Sequence, residues 1–314
     1  MPESRTYQIA VCALCLAAAL PLGAQVKFQD EAEKSRVAIT VEGKAFSNLY
    51  YGPEWPLPFL HPLRAASGVA VTRGYPVEQI EGEIQDHKWH HGLWFGHGDV
   101  NGVDFWRDLG AEKTGRMVVK GKPSWKKGKL TVEAELVTPK KEALGTVAEE
   151  FQFAAQGALR MVDAVVTVRA DKGLALKMGD TEEGTFAVRL ADEFREGRGV
   201  TMKNAAGDEG KVIWGKRAKW VDYSTTVKGE KAGVIVLEHP SNPKHPTYWH
   251  ARPYGLLSAN PFGEHDFLKD KTRDGSMTVP AGGKLELRYR VVIHPGGLGE
   301  IDAEKLFTDY AGRK

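Results

Sequence analysis

The chain has 314 residues, with 43 lysines and arginines against 41 aspartates and glutamates and 27% charged residues. Basic residues are dispersed among acids, and the densest basic run, Lys120 to Lys129, has the shape of a hairpin with a solvated tip, so no electrostatic footprint for nucleic acid is present. Beyond the N-terminus no apolar run approaches the ~20 residues that span a bilayer, which excludes a membrane-embedded chain after signal removal.

In chain order, Arg5 precedes the apolar run Ile9 to Leu22, and Gly23-Ala24 supply small residues before Gln25. This predicts an export signal over 1–24, cleaved after Ala24, and a periplasmic or secreted product. Cys12 and Cys15 are the only cysteines and lie inside that signal, so the mature chain has no disulfide, no cysteine nucleophile and no cysteine-type zinc site. Val37 to Val41, Glu42-Gly43 and Lys44 to Tyr51 read as a hairpin closed by a glycine turn. In Lys129 to Thr138, Leu130, Val132, Ala134 and Leu136 alternate with Thr131, Glu133 and Glu135; in Gly283 to Ile293, Leu285, Leu287, Tyr289 and Val291 alternate with Glu286, Arg288 and Arg290. Period-two patterns of this kind are half-buried strands. Further strands are expected at 69–73, 116–121, 147–153, 159–169, 185–190, 211–215, 232–238 and 275–279. Helical periodicity is convincing only over Ile301 to Tyr310, where a short helix is expected to cap the sheet edge. Many strands without alternating helices predict an all-β fold, a large antiparallel β-sandwich, with residues 25–314 forming a single domain.

The stretch Ile84 to Trp106, IQDHKWHHGLWFGHGDVNGVDFW, gathers four of the ten histidines, three aspartates and three tryptophans in 23 residues. A core segment would exclude imidazoles and carboxylates, because an unpartnered buried polar group costs about 1–3 kcal/mol. A solvent loop would exclude the large apolar rings, which gain from burial. The mixture points to a half-buried pocket whose aromatic walls hold a few converging polar groups.

Within the stretch, His90 and His91 would face opposite sides if extended, leaving open which one meets the pocket. His97-Gly98-Asp99 suits a carboxylate orienting an acid/base histidine, or two ligands of one metal. Asn101, Asp104, Trp94 and Trp106 are candidates for holding substrate. Gly92, Gly96, Gly98 and Gly102 serve tight turns or close backbone approach. Elsewhere, His250-Ala251-Arg252 offers an imidazole and a cation two residues apart, and Asn260 follows nearby. Glu183 stands at the mouth of the strand beginning near Thr185. Arg64 and Arg73 are placed to pair with acids or with substrate.

HHGLWFGHGDVNGVDFW, with HPLRAASGVAVTRGYP upstream and YWHARPYGLLSANPFG downstream, resembles a bacterial family of unknown function often labelled PmoA-like after a methane-oxygenase subunit. The resemblance covers most of residues 40 to 295 and includes the acid-glycine step Glu183-Gly184. It implies a secreted β-sandwich similar to the galactose-mutarotase supersandwich, with no settled activity. A membrane oxygenase subunit would need several apolar spans, which this chain lacks.

Three functions fit these residues. The first is a carbohydrate-active enzyme with His91, His97, Asp99, Glu183 and His250 as catalytic groups, and Arg64, Arg73, His90, Trp94, Asn101, Asp104, Trp106, Arg252 and Asn260 binding a small-molecule or oligosaccharide substrate. Here His97 is the preferred acid/base, Trp94 or Trp106 is the sugar platform, and the groups meet at one end of the sandwich. The second is a metal enzyme; no cofactor is firmly implied, but a divalent metal remains open, since the spacing matches no metal motif. The third is a non-catalytic sugar-binding module. Oligomeric state is not legible in the sequence.

Overall fold

Alternation of apolar and polar positions along the strands builds two large antiparallel sheets in the computed structural model, which describes residues 25–313. The expected export signal over 1–24, with Cys12 and Cys15, lies outside the described residues. The first sheet has eight strands in the order Val26–Glu31, Arg36–Val41, Lys44–Tyr50, Phe59–Leu60, Leu93–His97, Gly184–Arg189, Leu256–Asn260 and Tyr248–Arg252. The second runs Thr201–Asn204, Trp220–Val227, Glu230–Glu238, Lys284–Pro295, Leu159–Arg169, Ala143–Gln156, Lys129–Val137 and Arg116–Val119, with Ser124–Lys126 also pairing to Lys129–Val137. Leu176–Met178 pairs with Met277–Val279 as a small third sheet.

The sheets pack face to face. Phe186 of the first stacks on Tyr289 of the second with ring centroids 4.4 Å apart, and Val188, Leu257 and Ala251 join Val162, Val166, Leu287 and Val291 in one apolar cluster. Each such valine, leucine or phenylalanine side chain contributes about 1.5–3 kcal/mol by leaving water. This fixes which parity of each strand faces inward, and therefore which parity is left for chemistry on the outside.

The expected hairpin is present, with Glu42 and Gly43 both at positive φ, as the right-handed strand twist requires of a two-residue turn. Two expected strands are absent. Residues 69–73 make only single-residue bridges, Arg64 to Ala70 and Thr72 to Leu190, because Gly68 on one side and Gly74-Tyr75-Pro76 on the other cut the pairing short. Residues 211–215 fall in and just after the 3-10 turn Gly210–Ile213, bounded by Gly210 and Gly215 at positive φ. The C-terminal helix Ala303–Ala311, capped by Asp302 accepting from the Lys305 amide at 2.8 Å, does not sit at a sheet edge. It lies on Met161, Trp220, Ile235, Leu237 and Val292, outward-facing apolar residues of the middle strands of the nine-stranded sheet, which need that cover.

One core position breaks the pattern. Glu149 pairs across to Val132 and Val166 and shares the inward parity of Val147 and Phe151, so its carboxyl lies between the sheets with neither oxygen hydrogen-bonded to protein. Burial pushes it up to about 8. An unfolded glutamate releases its proton near pH ~4.3. Because the folded state holds the proton more tightly, this group favours folding fully below the unfolded value, and that contribution is lost as pH rises through about 8. Glu149→Gln should therefore flatten the decline in denaturation midpoint between about pH 5 and 8. It should not abolish the decline, since Glu238 is also raised to about 8, chiefly by burial. Equal slopes for the two proteins would show that Glu149 is solvated.

Candidate functional site

The strand register determines where the polar residues go. With Phe186 turned inward, Ala187 and Arg189 turn outward; register then places Trp94 and Ser258 beside Ala187, His250 beside Ser258, and Leu256 between Arg189 and Arg252. The candidate site is thus the outer face of the eight-stranded sheet, over its last four strands, and not an end of the sandwich. Loops 72–92, 98–107 and 180–183 fold back over that face.

A buried aromatic layer comes first. His90, Trp94 and Trp106 stand with ring centroids 5.1 to 5.7 Å apart, and all three are almost fully buried. Trp106 rests on Gly96, where an added Cβ would come within 2.9 Å of the Phe105 carbonyl; Gly98 likewise lies against Glu183, so these glycines serve close approach. Trp94 and Trp106 cannot be open sugar platforms, since neither ring face reaches the surface. The indole N–H groups of both, and His90 Nε2, have no acceptor among the described residues.

An ion network holds the next layer. Asp86 accepts from Arg189 Nη2 at 2.6 Å and from Arg73 Nη1, and both guanidiniums are buried. Arg73 also donates to the carbonyls of Tyr75, Asp86, His87 and His90 at 2.8 to 3.2 Å. It is a clamp on segment 86–90, with no donor left over for substrate. Arg189 donates to His90 Nδ1 at 3.2 Å and lies 4.7 Å over the Tyr254 ring. Burial, then the positive charge of Arg189, holds His90 well below its ordinary value. Neutral and accepting at Nδ1, it carries its proton on Nε2. His87, in the left-handed region, stacks on His90 at 4.8 Å and on Tyr254 at 5.2 Å.

Three half-exposed groups complete the site. Arg107 forks between Asp104 at 2.9 Å and Glu183 at 2.8 Å, while Asp104 also accepts from the Trp106 and Arg107 amides. Glu183 is 17% exposed; burial raises its carboxyl above the ordinary range, with Arg107 pulling the other way and Glu182 and Asp104 adding to the rise. Arg252 donates from Nε to His250 Nε2 at 2.8 Å and from Nη2 to Glu182 at 2.7 Å. Tyr254 has no hydrogen-bond partner for its hydroxyl among the described residues; burial pushes it up to about 12, and Arg189, Arg252, Glu183 and Asp86 are all close enough for their charges to act on it. It is where the three networks meet.

Several expected site residues are placed elsewhere or are fully engaged. His97, the preferred acid/base, is wholly buried, donates from Nε2 to the Gly179 carbonyl at 2.9 Å, and is lowered by burial to about 4. It is a tie between loops. Asp99 does not orient it; its carboxylate closes a turn by accepting from the Gly102 amide at 2.7 Å. His91 points away from His90 and stacks on Phe59 at 4.4 Å, lowered to about 3 by burial. His250 donates from Nδ1 to the Glu182 carbonyl at 2.7 Å and accepts from Arg252, so both nitrogens are used and it stays neutral, lowered to about 3 chiefly by burial. Asn260 spends its amide on the Thr181 and Glu182 carbonyls and on the Phe262 amide, positioning Glu183 from behind. Asn101 ties its loop to Ala175 and Lys177, and Arg64 bonds the Gly68 carbonyl of its own turn. Among the described residues no three His, Cys, Asp or Glu side chains are grouped to hold a metal ion.

Asp86, His87, Arg107, Glu182, Arg189 and Tyr254 are the site residues that reading the sequence missed. Arg189 carried a signal: a lone cation closing the otherwise apolar strand Gly184–Arg189, every residue of which is buried. Arg107 directly follows the candidate Trp106, and Tyr254 comes two residues after the candidate Arg252.

No curated protein matches the sequence. Among solved structures, a galactose mutarotase-like protein from Clostridium acetobutylicum aligns over 87% of this chain and 99% of its own, at 10% identity and a TM-score of 0.42. Another from Lactobacillus casei aligns over 86% and 100%, at 10% identity and a TM-score of 0.39. A polysaccharide lyase aligns over 92% of this chain but 34% of its own, at 11% identity and a TM-score of 0.37. Likeness at this level says nothing about activity. The methane-oxygenase label of the look-alike sequences finds no counterpart in these matches. A family profile described as a family of unknown function, DUF6807, matches residues 36–308, so the chain belongs to that family.

Proposed function

We propose that this outer sheet face is the active site of an exported enzyme that works on a sugar or glycoside by acid/base chemistry. The observation that carries the proposal is Glu183: a largely buried carboxyl, raised above its ordinary range, held beside Arg107 and within charge range of the unpartnered Tyr254 hydroxyl. A carboxyl with a raised value is suited to giving and taking protons nearer neutral pH, and Arg107 stabilises it once the proton has gone. Tyr254 keeps its proton and serves as a donor to a substrate oxygen. Arg252, one-third exposed, keeps Nη1 without a partner among the described residues, available to a hydroxyl or carboxylate. Export rests on Arg5, the run Ile9 to Leu22 and the small residues before Gln25.

The test is proton and carbon NMR of mono-, oligo- and polysaccharides incubated with the protein, following anomer exchange, bond cleavage and solvent deuterium incorporation. The expected result is turnover of at least one sugar by the wild-type protein and its loss in Glu183→Gln. Binding without any turnover would replace the enzyme with a sugar-binding module.

A further inference from the structure

Next to Arg252, and outside the acid/base cluster, lies a groove of about 670 Å³ formed by Trp214, Tyr248 and Phe267 with Lys211, Lys216, Arg217 and Lys269. Its floor is aromatic: Phe267 meets Trp214 edge-on at 5.5 Å and stacks with Tyr248 at 5.5 Å. Its charged residues are all cationic. No acid lines it, and none of the four basic residues is in an ion pair among the described residues; Arg217 bonds only the Lys244 and Pro246 carbonyls. Val212 and Leu268, 55% and 43% exposed, extend the apolar surface beside it. In a chain whose acids and bases nearly balance, four cations with no acidic partner among the described residues are a local excess of positive charge; Arg217 lies 5.1 Å over the Tyr248 ring and Lys269 5.9 Å over the Trp214 ring, which leaves their charge uncompensated.

Arg252 connects this groove to the proposed active site, since its guanidinium bonds Glu182 at 2.7 Å on one side and lies 4.9 Å over the Trp214 ring on the other. We infer that the groove binds the neighbouring units of an acidic glycan, a chain bearing carboxylate or sulfate groups, whose reacting unit lies against Glu183 and Tyr254. Apolar patches of the sugar pack on the exposed Val212 and Leu268 and the accessible part of Trp214, while the anions pair with Lys211, Lys216, Arg217 and Lys269. This assignment of substrate class rests on the acid/base reading of the adjoining face.

Calorimetric titration of the whole protein with polygalacturonate, dextran sulfate, neutral dextran and single-stranded polyuridylate tests it. The expected result is binding of one or both acidic glycans in preference to dextran, weakened by salt, with the two glycans distinguishing carboxylate from sulfate recognition. The double variant Lys216→Ala/Lys269→Ala, folded by circular dichroism, should bind roughly 2- to 30-fold more weakly, the range for two exposed ion pairs. Equal affinity for dextran, no binding of either acidic glycan, unchanged affinity in the double variant, or tighter binding of polyuridylate overturns the assignment. Glu183→Gln separates the two ideas: it should bind the glycan like wild type. If it also keeps full turnover, the acid/base reading fails and the groove stands; if it loses turnover while the lysine variant loses no affinity, the groove alone fails.

Discussion

Asp86→Ala is expected to lower folding stability by about 3–5 kcal/mol, because it leaves two buried guanidiniums, Arg73 and Arg189, without their shared counter-charge. The two arginine side chains are 0% and 1% exposed, so water cannot substitute for the carboxylate on their side. Burial alone would raise the Asp86 carboxyl, but His87 and the two arginines overcome it and hold the group down to about 2. The linkage follows from that direction. An unfolded aspartate titrates near ~3.9, so the stabilisation is present above that value and is lost as pH falls toward 2. Urea denaturation at neutral pH should show the full loss in the variant, and the gap between variant and wild type should close under acid. A loss under about 1 kcal/mol would mean that solvent reaches the arginines through the exposed quarter of Asp86, and that the pair behaves as a surface contact. Because Arg189 also fixes His90 and lies over Tyr254, the variant should lose activity along with stability.

Glu183→Gln is expected to cost roughly 10²- to 10⁴-fold in kcat on the substrate identified, the usual range for a lost general acid or base. The melting temperature should barely move, since a glutamine oxygen can still accept from Arg107 and the residue's backbone ties are untouched. One limb of the wild-type pH profile for kcat/KM should lie above the ~4.3 of a free glutamate, because burial raises this carboxyl. If Glu183 gives a proton, activity falls as pH rises through that limb; if it takes one, activity falls as pH drops. Either way the limb disappears in the variant. A pH profile that survives intact in Glu183→Gln would remove the carboxyl from the chemistry, leaving it as an anchor for Arg107.

The sequence by itself determined the class of fold, because sheet structure is written in a local period of two. Leu130, Val132, Ala134 and Leu136 alternate correctly, Leu159–Arg169 has the expected bounds, and the Glu42-Gly43 turn needs only its own two residues to close. It also marked Ile84 to Trp106, since a mixture of imidazoles, acids and indoles conflicts with both core and surface wherever it folds. The roles within that stretch came from contacts distant in sequence. His90 and His91 differ by one position, yet one reaches Arg189 and the other Phe59. Trp94 and Trp106 read as platforms until loops 86–90 and 98–107 close over them and bury both rings. Arg189 reads as the end of an apolar strand until register turns it outward, across Leu256 from Arg252 and over Tyr254. Periodicity states that a strand has two faces; only the stacking of Phe186 on Tyr289, about a hundred residues apart in the chain, decided which face packs inward and which is left to carry chemistry.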